Sequence, residues 1–190
     1  MGGVCPSQIN FLVPEQTAIG PITLQIDDGS TVLVDTANAT MVDSAVPGIF
    51  TANGQGQGVA AATAVRVQAD GSLQSVPVFD CQGPGQCTAV PIDLSAGRPV
   101  YLSLYGTGFR AVQTLGLGQS PHASCSVGKA SAVIQFLGAQ PTFPGLDQLN
   151  LLLPASLPSG TASVECQFII HAAGFFPLYP YSNPVQIAIK

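Results

Sequence analysis

The stretch SQINFLVPEQTAIGP, Ser7 to Pro21, recurs 140 positions later as DQLNLLLPASLPSGT, Asp147 to Thr161. The two align without a gap: Gln8 with Gln148, Asn10 with Asn150, Pro14 with Pro154, Gly20 with Gly160. Between these fixed points, Ile9, Phe11, Leu12 and Val13 fall on Leu149, Leu151, Leu152 and Leu153. Physically this is a strand that enters a core and is stopped by proline, which donates no ladder hydrogen bond. A short loop follows, glycine turns the chain, and a second strand returns, ITLQI in one copy and ASVECQF in the other. The unit reads as the later part of a sandwich domain, written twice. Asn is poor in strands, so a repeated Asn needs a reason. An amide bond from Asn10 and Asn150 to neighbouring loop backbone is the expected one.

The rest of the chain continues in the same manner. The 21 glycines and 16 prolines recur too often for long helices. Between them lie short β-branched and aromatic runs, among them TVLVDT, AVRVQA, VPVFD, PVYLSLYG, SAVIQFLG and PVQIAIK. Several alternate apolar with polar, as at Val65-Arg66-Val67-Gln68, the mark of a half-buried strand. Asp27-Asp28-Gly29-Ser30 and Ala69-Asp70-Gly71-Ser72 carry the Asp-Gly signal of a hairpin turn. GVAAATAVRV, the nearest thing to a helix, leads into an alternating pattern and reads as strand. Many short strands with regular turns predict an all-β chain of antiparallel sandwiches.

Composition narrows the setting. Of the 190 residues, 46% are apolar and 8% charged, against roughly 25% charged in an average domain. Disorder requires the opposite balance, so the chain should fold. The net charge is −5, and the cations Arg66, Arg98, Arg110, Lys129 and Lys190 are scattered. Nucleic acid is not an expected partner, because phosphate backbones demand clustered cations. No apolar run reaches the ~18 residues of a membrane span. No amino-terminal export signal is visible, so any such signal is expected outside this sequence or already removed.

Five cysteines bear on the compartment: Cys5, Cys81, Cys87, Cys125 and Cys166. None forms the close pairs of a zinc site, and no metal or other cofactor is expected. Cys81 and Cys87 bracket QGPGQ, a loop able to reverse the chain, and a disulfide is favoured there over free thiols. Cys125 and Cys166 sit in β-like segments and either bridge two strands or stay reduced. Cys5 is the odd thiol. Bridges of this kind would place the protein in an oxidising space, secreted or at the cell surface.

QINFLVP and QLNLLLP, with VPGIF at Val46 to Phe50 and PGLDQLN at Pro144 to Asn150, resemble a known family. It is an uncharacterised carboxy-terminal immunoglobulin-like domain family of secreted acidobacterial (Solibacter-type) proteins. Its members carry the Q-[IL]-N-x-x-[IV]-P signature in tandem and end in a strand close to SNPVQIAIK. The resemblance spans most of the chain, with Gly83 to Thr88 as an apparent insertion. It implies a fold and no catalytic residues. The first copy of the signature begins at Ser7, whereas about 50 residues of strands precede the second. The first module is therefore expected to lack its opening strands.

Few residues invite chemistry. A hydrolytic triad needs a histidine beside a nucleophile and an acid. His122 lies in the loop-like SPHAS and His171 ends FIIH, and both read as ordinary surface or sheet-edge side chains. Most of the ten acids read as turn residues, where Asp caps backbone amides. Asp27, Asp28 and Asp35 could ligate Ca²⁺ through oxygen, but they lack EF-hand spacing and a hairpin explains them. YGTGF, Tyr105 to Phe109, lacks the further Gly or Lys of a phosphate loop and reads as a strand-end turn. Phe175, Phe176, Tyr179 and Tyr181 crowd into GFFPLYPYSNP, which is either a loop folded over the sandwich end or an exposed aromatic surface.

These readings predict two immunoglobulin-like β-sandwich units. The first, 1–95, is incomplete and combines strands from Gln8 to Asp43 with a hairpin pair from Val59 to Asp80. The second, 96–190, is complete. The expected role is non-catalytic: an extracellular structural or adhesion module. The alternative is a carbohydrate-binding module using Phe175, Phe176, Tyr179 and Tyr181, with hydrolase a distant third. Expected partners are upstream domains of a parent protein, a second copy paired along the bare edge between Gln8 and Val34, or a glycan.

Overall fold

A computed structural model describes residues 4–5, 8–9, 11–14, 16–27, 29–30, 32–35, 40–43, 45–110, 123–169 and 178–190. The chain is nearly all β and divides into two compact units, Met1–Ser44 and Ala45–Lys190.

Unit 1 consists of paired two-stranded ladders. Strand β1 (Val4–Cys5) pairs with β2 (Gln8–Ile9), β3 (Gly20–Ile22) with β6 (Thr40–Val42), and β4 (Gln25–Asp27) with β5 (Val32–Asp35). Gly29 holds the β4–β5 turn at φ 89°, as the Asp-Gly signal requires. Ile22, Leu24 and Ile26 are half-buried while Pro21, Thr23 and Gln25 are exposed, so one face is apolar. No described side chain of this unit is fully buried.

Unit 2 holds β7 (Gly48–Ile49), β8 (Ala62–Val67), β9 (Leu73–Val76), β10 (Phe79–Cys81), β11 (Cys87–Ala89) and β12 (Pro91–Ile92). It continues with β13 (Val100–Thr107), β14 (Ala123–Val127), β15 (Ala130–Ala139), β16 (Asp147–Leu152), β17 (Gly160–Phe168) and β18 (Val185–Ile189). Hydrogen bonding runs in the order β12-β18-β17-β14-β15-β16-β13-β8-β9, with β7 on the far end of β13. Strand β15 belongs to two layers. Its first residues, Ala130 to Ala132, pair with β14. After them Val133 to Ala139 pair with β16, across a bulge between Ile134 and Phe136. A bulge bends a strand and lets it turn such a corner.

The opposite margin is closed in the same way. The Ala60 amide donates to the Gln186 carbonyl at 2.9 Å, and the Gln186 amide donates to Gly58 at 2.7 Å. Two residues on, the same segment joins β13, from Ala62 opposite Leu104 to Arg66 opposite Val100. The layers are thus joined by backbone ladders on both sides. Inside them lies one core, built from every second residue: Val100, Leu102 and Leu104; Leu149 and Leu151; Val164, Cys166 and Phe168; Val185, Ile187 and Ile189. Phe109 and Phe168 stack across it with ring centroids 5.5 Å apart.

Two expectations are corrected here. The hairpin β8–β9, expected to complete the first unit, pairs with β13 instead. The compact units accordingly meet at Ser44/Ala45 and not near residue 95. The physical reason is that β13 is buried on its inner face and needs a neighbour on the side away from β16. Small Ala62 and Ala64 fit against it there. Asn150, expected to bond loop backbone, instead accepts a hydrogen bond from the Gln148 side-chain amide at 2.8 Å. Asn10 lies outside the described residues.

Both disulfides form, Cys81–Cys87 and Cys125–Cys166. Each joins residues directly opposite one another in adjacent antiparallel strands, β10 with β11 and β14 with β17. The loop closed by Cys125–Cys166 spans a separation of 41 residues and that of Cys81–Cys87 spans 6. On chain entropy these are worth about 4 and about 2 kcal/mol. Replacing Cys125 and Cys166 together by Ala should therefore lower the urea unfolding midpoint more than replacing Cys81 and Cys87. Equal losses would show that the entropic account fails for this fold.

Candidate functional site

In β14, in β18 and along β17 from Ala162 to Phe168, inward and outward residues alternate. Cys125 and Cys166 point into the core, so their neighbours Ser124, Ser126, Glu165 and Gln167 point out. Register places these in rows. Ser131, Ser126 and Glu165 stand side by side across β15, β14 and β17. The next row is Ser124, Gln167 and Tyr181, the last bridged antiparallel to Gln167. Ser163 pairs with Gln186 further along. The outer face is thus a platform of hydroxyls and amides carrying one carboxylate.

Aromatic side chains border it. The Phe168 amide donates to the Pro180 carbonyl at 2.9 Å, and the Ser182 amide donates to Cys166 at 2.8 Å. The buried Ser182 hydroxyl accepts from the Cys166 amide at 3.1 Å. These bonds fasten the segment along β17, yet Tyr179 and Tyr181 are 54% and 58% exposed. Leu178 is exposed beside them. A held segment with its rings in water can stack on an apolar face while the platform supplies hydrogen bonds. Phe175 and Phe176, grouped with these tyrosines by sequence, lie outside the described residues, as do His122 and His171.

The turn YGTGF is built on close backbone approach. A Cβ on Gly106 would lie 2.0 Å from the Gly48 carbonyl oxygen and 2.7 Å from the Phe109 ring. Gly108, at φ 82°, presses against the Val46–Pro47 backbone. Both glycines serve close backbone approach, as a strand-end turn requires. Asp147 completes the turn. Its Oδ2 accepts from the Phe109 amide at 2.8 Å and the Arg110 amide at 3.2 Å, and its Oδ1 pairs with Arg110 Nε. The Arg110 guanidinium also donates to the Leu146 carbonyl at 2.8 Å. Sequence reasoning gave Asp147 no role of its own among the ten acids, and its burial was missed. The signal was its place as the first residue of the repeated stretch, where the first copy has Ser7.

Other acids do cap turns as expected. Hydrogen bonds from the Ser72 hydroxyl and amide hold the Asp70 carboxyl below the ordinary carboxylate range. The Ser95 hydroxyl and amide do the same for Asp93, helped by Lys190 and Arg66. The Asp27 and Asp35 side chains and all of Asp28 lie outside what is described. A shallow groove of about 260 Å³ runs past Leu94, Pro99, Val133 and Leu152, with Arg98 as its charged member. Among the described residues no helix is long and apolar enough to cross a membrane.

No family model, curated protein or solved structure matches this chain. The Asp147 assignment has a direct test. Asp147→Ala strands two backbone donors and a guanidinium, and should cost on the order of 3 kcal/mol in urea unfolding. Arg110→Ala should cost clearly less, because its side chain is about one-third exposed. The reverse order would mean that the carboxylate is not what holds the turn.

Proposed function

We propose that the chain is a non-catalytic structural or adhesion module of an extracytoplasmic protein, a member of the immunoglobulin-like family its signature segments resemble. The observation that carries this reading is the repeat. Gly20 and Gly160 each open a strand at positive φ, 134° and 122°, and each faces the end of the last strand of its unit, Val42 or Ile189. Inward residues match as well: Ile22, Leu24 and Ile26 fall on Ala162, Val164 and Cys166. Serial modules of one architecture extend and space a protein, a task that needs a stiff core and no reacting groups. Two disulfides support an oxidising environment. Material recovered from outside the producing cell and alkylated without reductant should carry one adduct, on Cys5, and five after reduction. Labelling of the other four cysteines in native protein would count against secretion.

A second reading, carbohydrate binding, is favoured by the row Tyr181–Gln167–Ser124 and the adjoining Tyr179. Neutral hydroxyls and amides suit a polyhydroxylated ligand, and a tyrosine ring suits the C–H face of a sugar. Titration calorimetry with glycan-array hits should show affinity falling at least tenfold in Tyr181→Ala. Urea stability should stay within about 0.5 kcal/mol, as for exposed sites. Unchanged affinity in both Tyr179→Ala and Tyr181→Ala would remove the aromatic platform from consideration.

A further inference from the structure

Scattered along the sequence, four of the five cations come to one end of unit 2. Arg66 stands opposite Val100, two residues past Arg98. The Lys190 amide donates to the Ile92 carbonyl at 3.0 Å, and its Nζ lies 3.8 Å from Asp93. Lys129 sits in the turn between β14 and β15, which the Gly128 amide ties to the Ser163 carbonyl near the start of β17. Register sets Gly160 against Ile189 and Leu152 against Tyr101, so these strand ends and turns lie at one end of the core. The side-chain carboxylates there, Asp70 and Asp93, each accept from the amide of the serine two residues on. Four cations thus stand with two carboxylates in a chain whose net charge is −5.

The groove of about 260 Å³ lies at this end. Leu94, Pro99, Val133 and Leu152 form its apolar walls, and Arg98 and Ser131 are polar members of its lining. Val133 is 56% exposed, so part of the apolar wall stands in water. The cations around it differ in what they touch. Arg66 donates to the Gln74 side chain and the Asp93 carbonyl, and Lys190 pairs with Asp93. Arg98 is exposed and has no hydrogen bond or ion pair among the described residues. No acidic side chain lines the groove, and Glu165 on the adjoining face stands two strands from Ser131.

We propose that this groove binds a small amphipathic carboxylate, with its apolar body against Val133 and Leu152 and its carboxylate on the Arg98 guanidinium. The planar guanidinium fork matches a carboxylate with two parallel hydrogen bonds. An apolar wall beside an uncompensated cation selects a ligand that carries both features. The volume falls below the ~300–1,000 Å³ of sites for drug-sized ligands, so the apolar body is compact. A peptide fits less well, because the lining offers few backbone donors. Pro99 and Pro154 carry no N–H, and the Gly97 and Leu153 amides already donate to Leu94 and Val100. A sugar would leave its hydroxyls against aliphatic walls. The site is required by neither role proposed above, and Tyr181 borders β17 toward its other end.

The probes are octanoate and its uncharged counterpart 1-octanol, each titrated below its aggregation limit into the full isotope-labelled chain and followed by amide chemical shifts. Saturable octanoate binding is expected, with shifts confined to residues 94–98, 131–133 and 152–155. Arg98→Gln should weaken octanoate by about tenfold or more, as for a lost bond to a charged group, and leave octanol unchanged. Val133→Glu, which sets a carboxylate in the wall, should weaken both probes. Both side chains are exposed, so each variant should keep the parent's urea midpoint. Absence of saturable octanoate binding, shifts outside the groove, or octanoate binding unchanged in Arg98→Gln would overturn the proposal. So would octanol binding the parent as tightly as octanoate, which would make the groove an apolar cleft without a role for Arg98.

Discussion

A sheet with two free margins presents rows of unpaired N–H and C=O groups, and every layered β structure must satisfy or shield them. In unit 2 this constraint is met by two segments that change partners midway. Strand β15 leaves β14 for β16, and the segment from Gly58 to Arg66 leaves Gln186 for β13. Closure by backbone ladders removes edges instead of guarding them, and here it leaves only the outer sides of β12 and β9 at the ends of the order.

Much of the remaining detail follows from that closure. Where the chain returns to β13 through β7, backbones meet so closely that Gly106 and Gly108 admit no side chain. A carboxylate fits there because the turn leaves the Phe109 and Arg110 amides pointing inward, and Asp147 answers both. Asn183 does similar work elsewhere. Its side chain accepts from the Ile49 amide at 2.7 Å and donates to the Ile49 and Gly56 carbonyls, pinning β7 and the loop after it. The disulfides reinforce pairings that the ladders already make, since each sits between directly opposed residues.

The sequence made the elements legible and left their neighbours obscure. Alternation in VYLSLYG and SVECQF reveals which side chains face inward, because the strand period is two. Asp27-Asp28-Gly29 and Asp70-Gly71 mark turns because few residues other than Gly accept positive φ. Nothing in the period says which strand lies alongside, so β8–β9 was assigned to the wrong unit. Nor does it show that β15 serves two layers, a property of one bulge. Asp147 was missed for a related reason: an acid at the start of a strand looks the same whether its partners are solvent or buried amides. The Pro-interrupted aromatic segment left two readings open, a loop over the sandwich end or an exposed surface, and Tyr179 and Tyr181 are exposed.

The parallel pairings of β18 also bear on how unit 2 responds to tension. Strand β12 runs parallel to β18 at Ala188 and Ile189, and Val59 is bridged parallel to Gln186. When two neighbouring strands are parallel, pulling on the start of one and the end of the other slides them past each other. All their hydrogen bonds are then loaded at once, whereas an antiparallel hairpin pulled at its open end unzips bond by bond. Force transmitted from Ala45 toward Ile189 meets this shear geometry after the antiparallel β7–β13 pair. Past it, the Cys125–Cys166 bond shortens the path, since the residues between them cannot extend while it is intact.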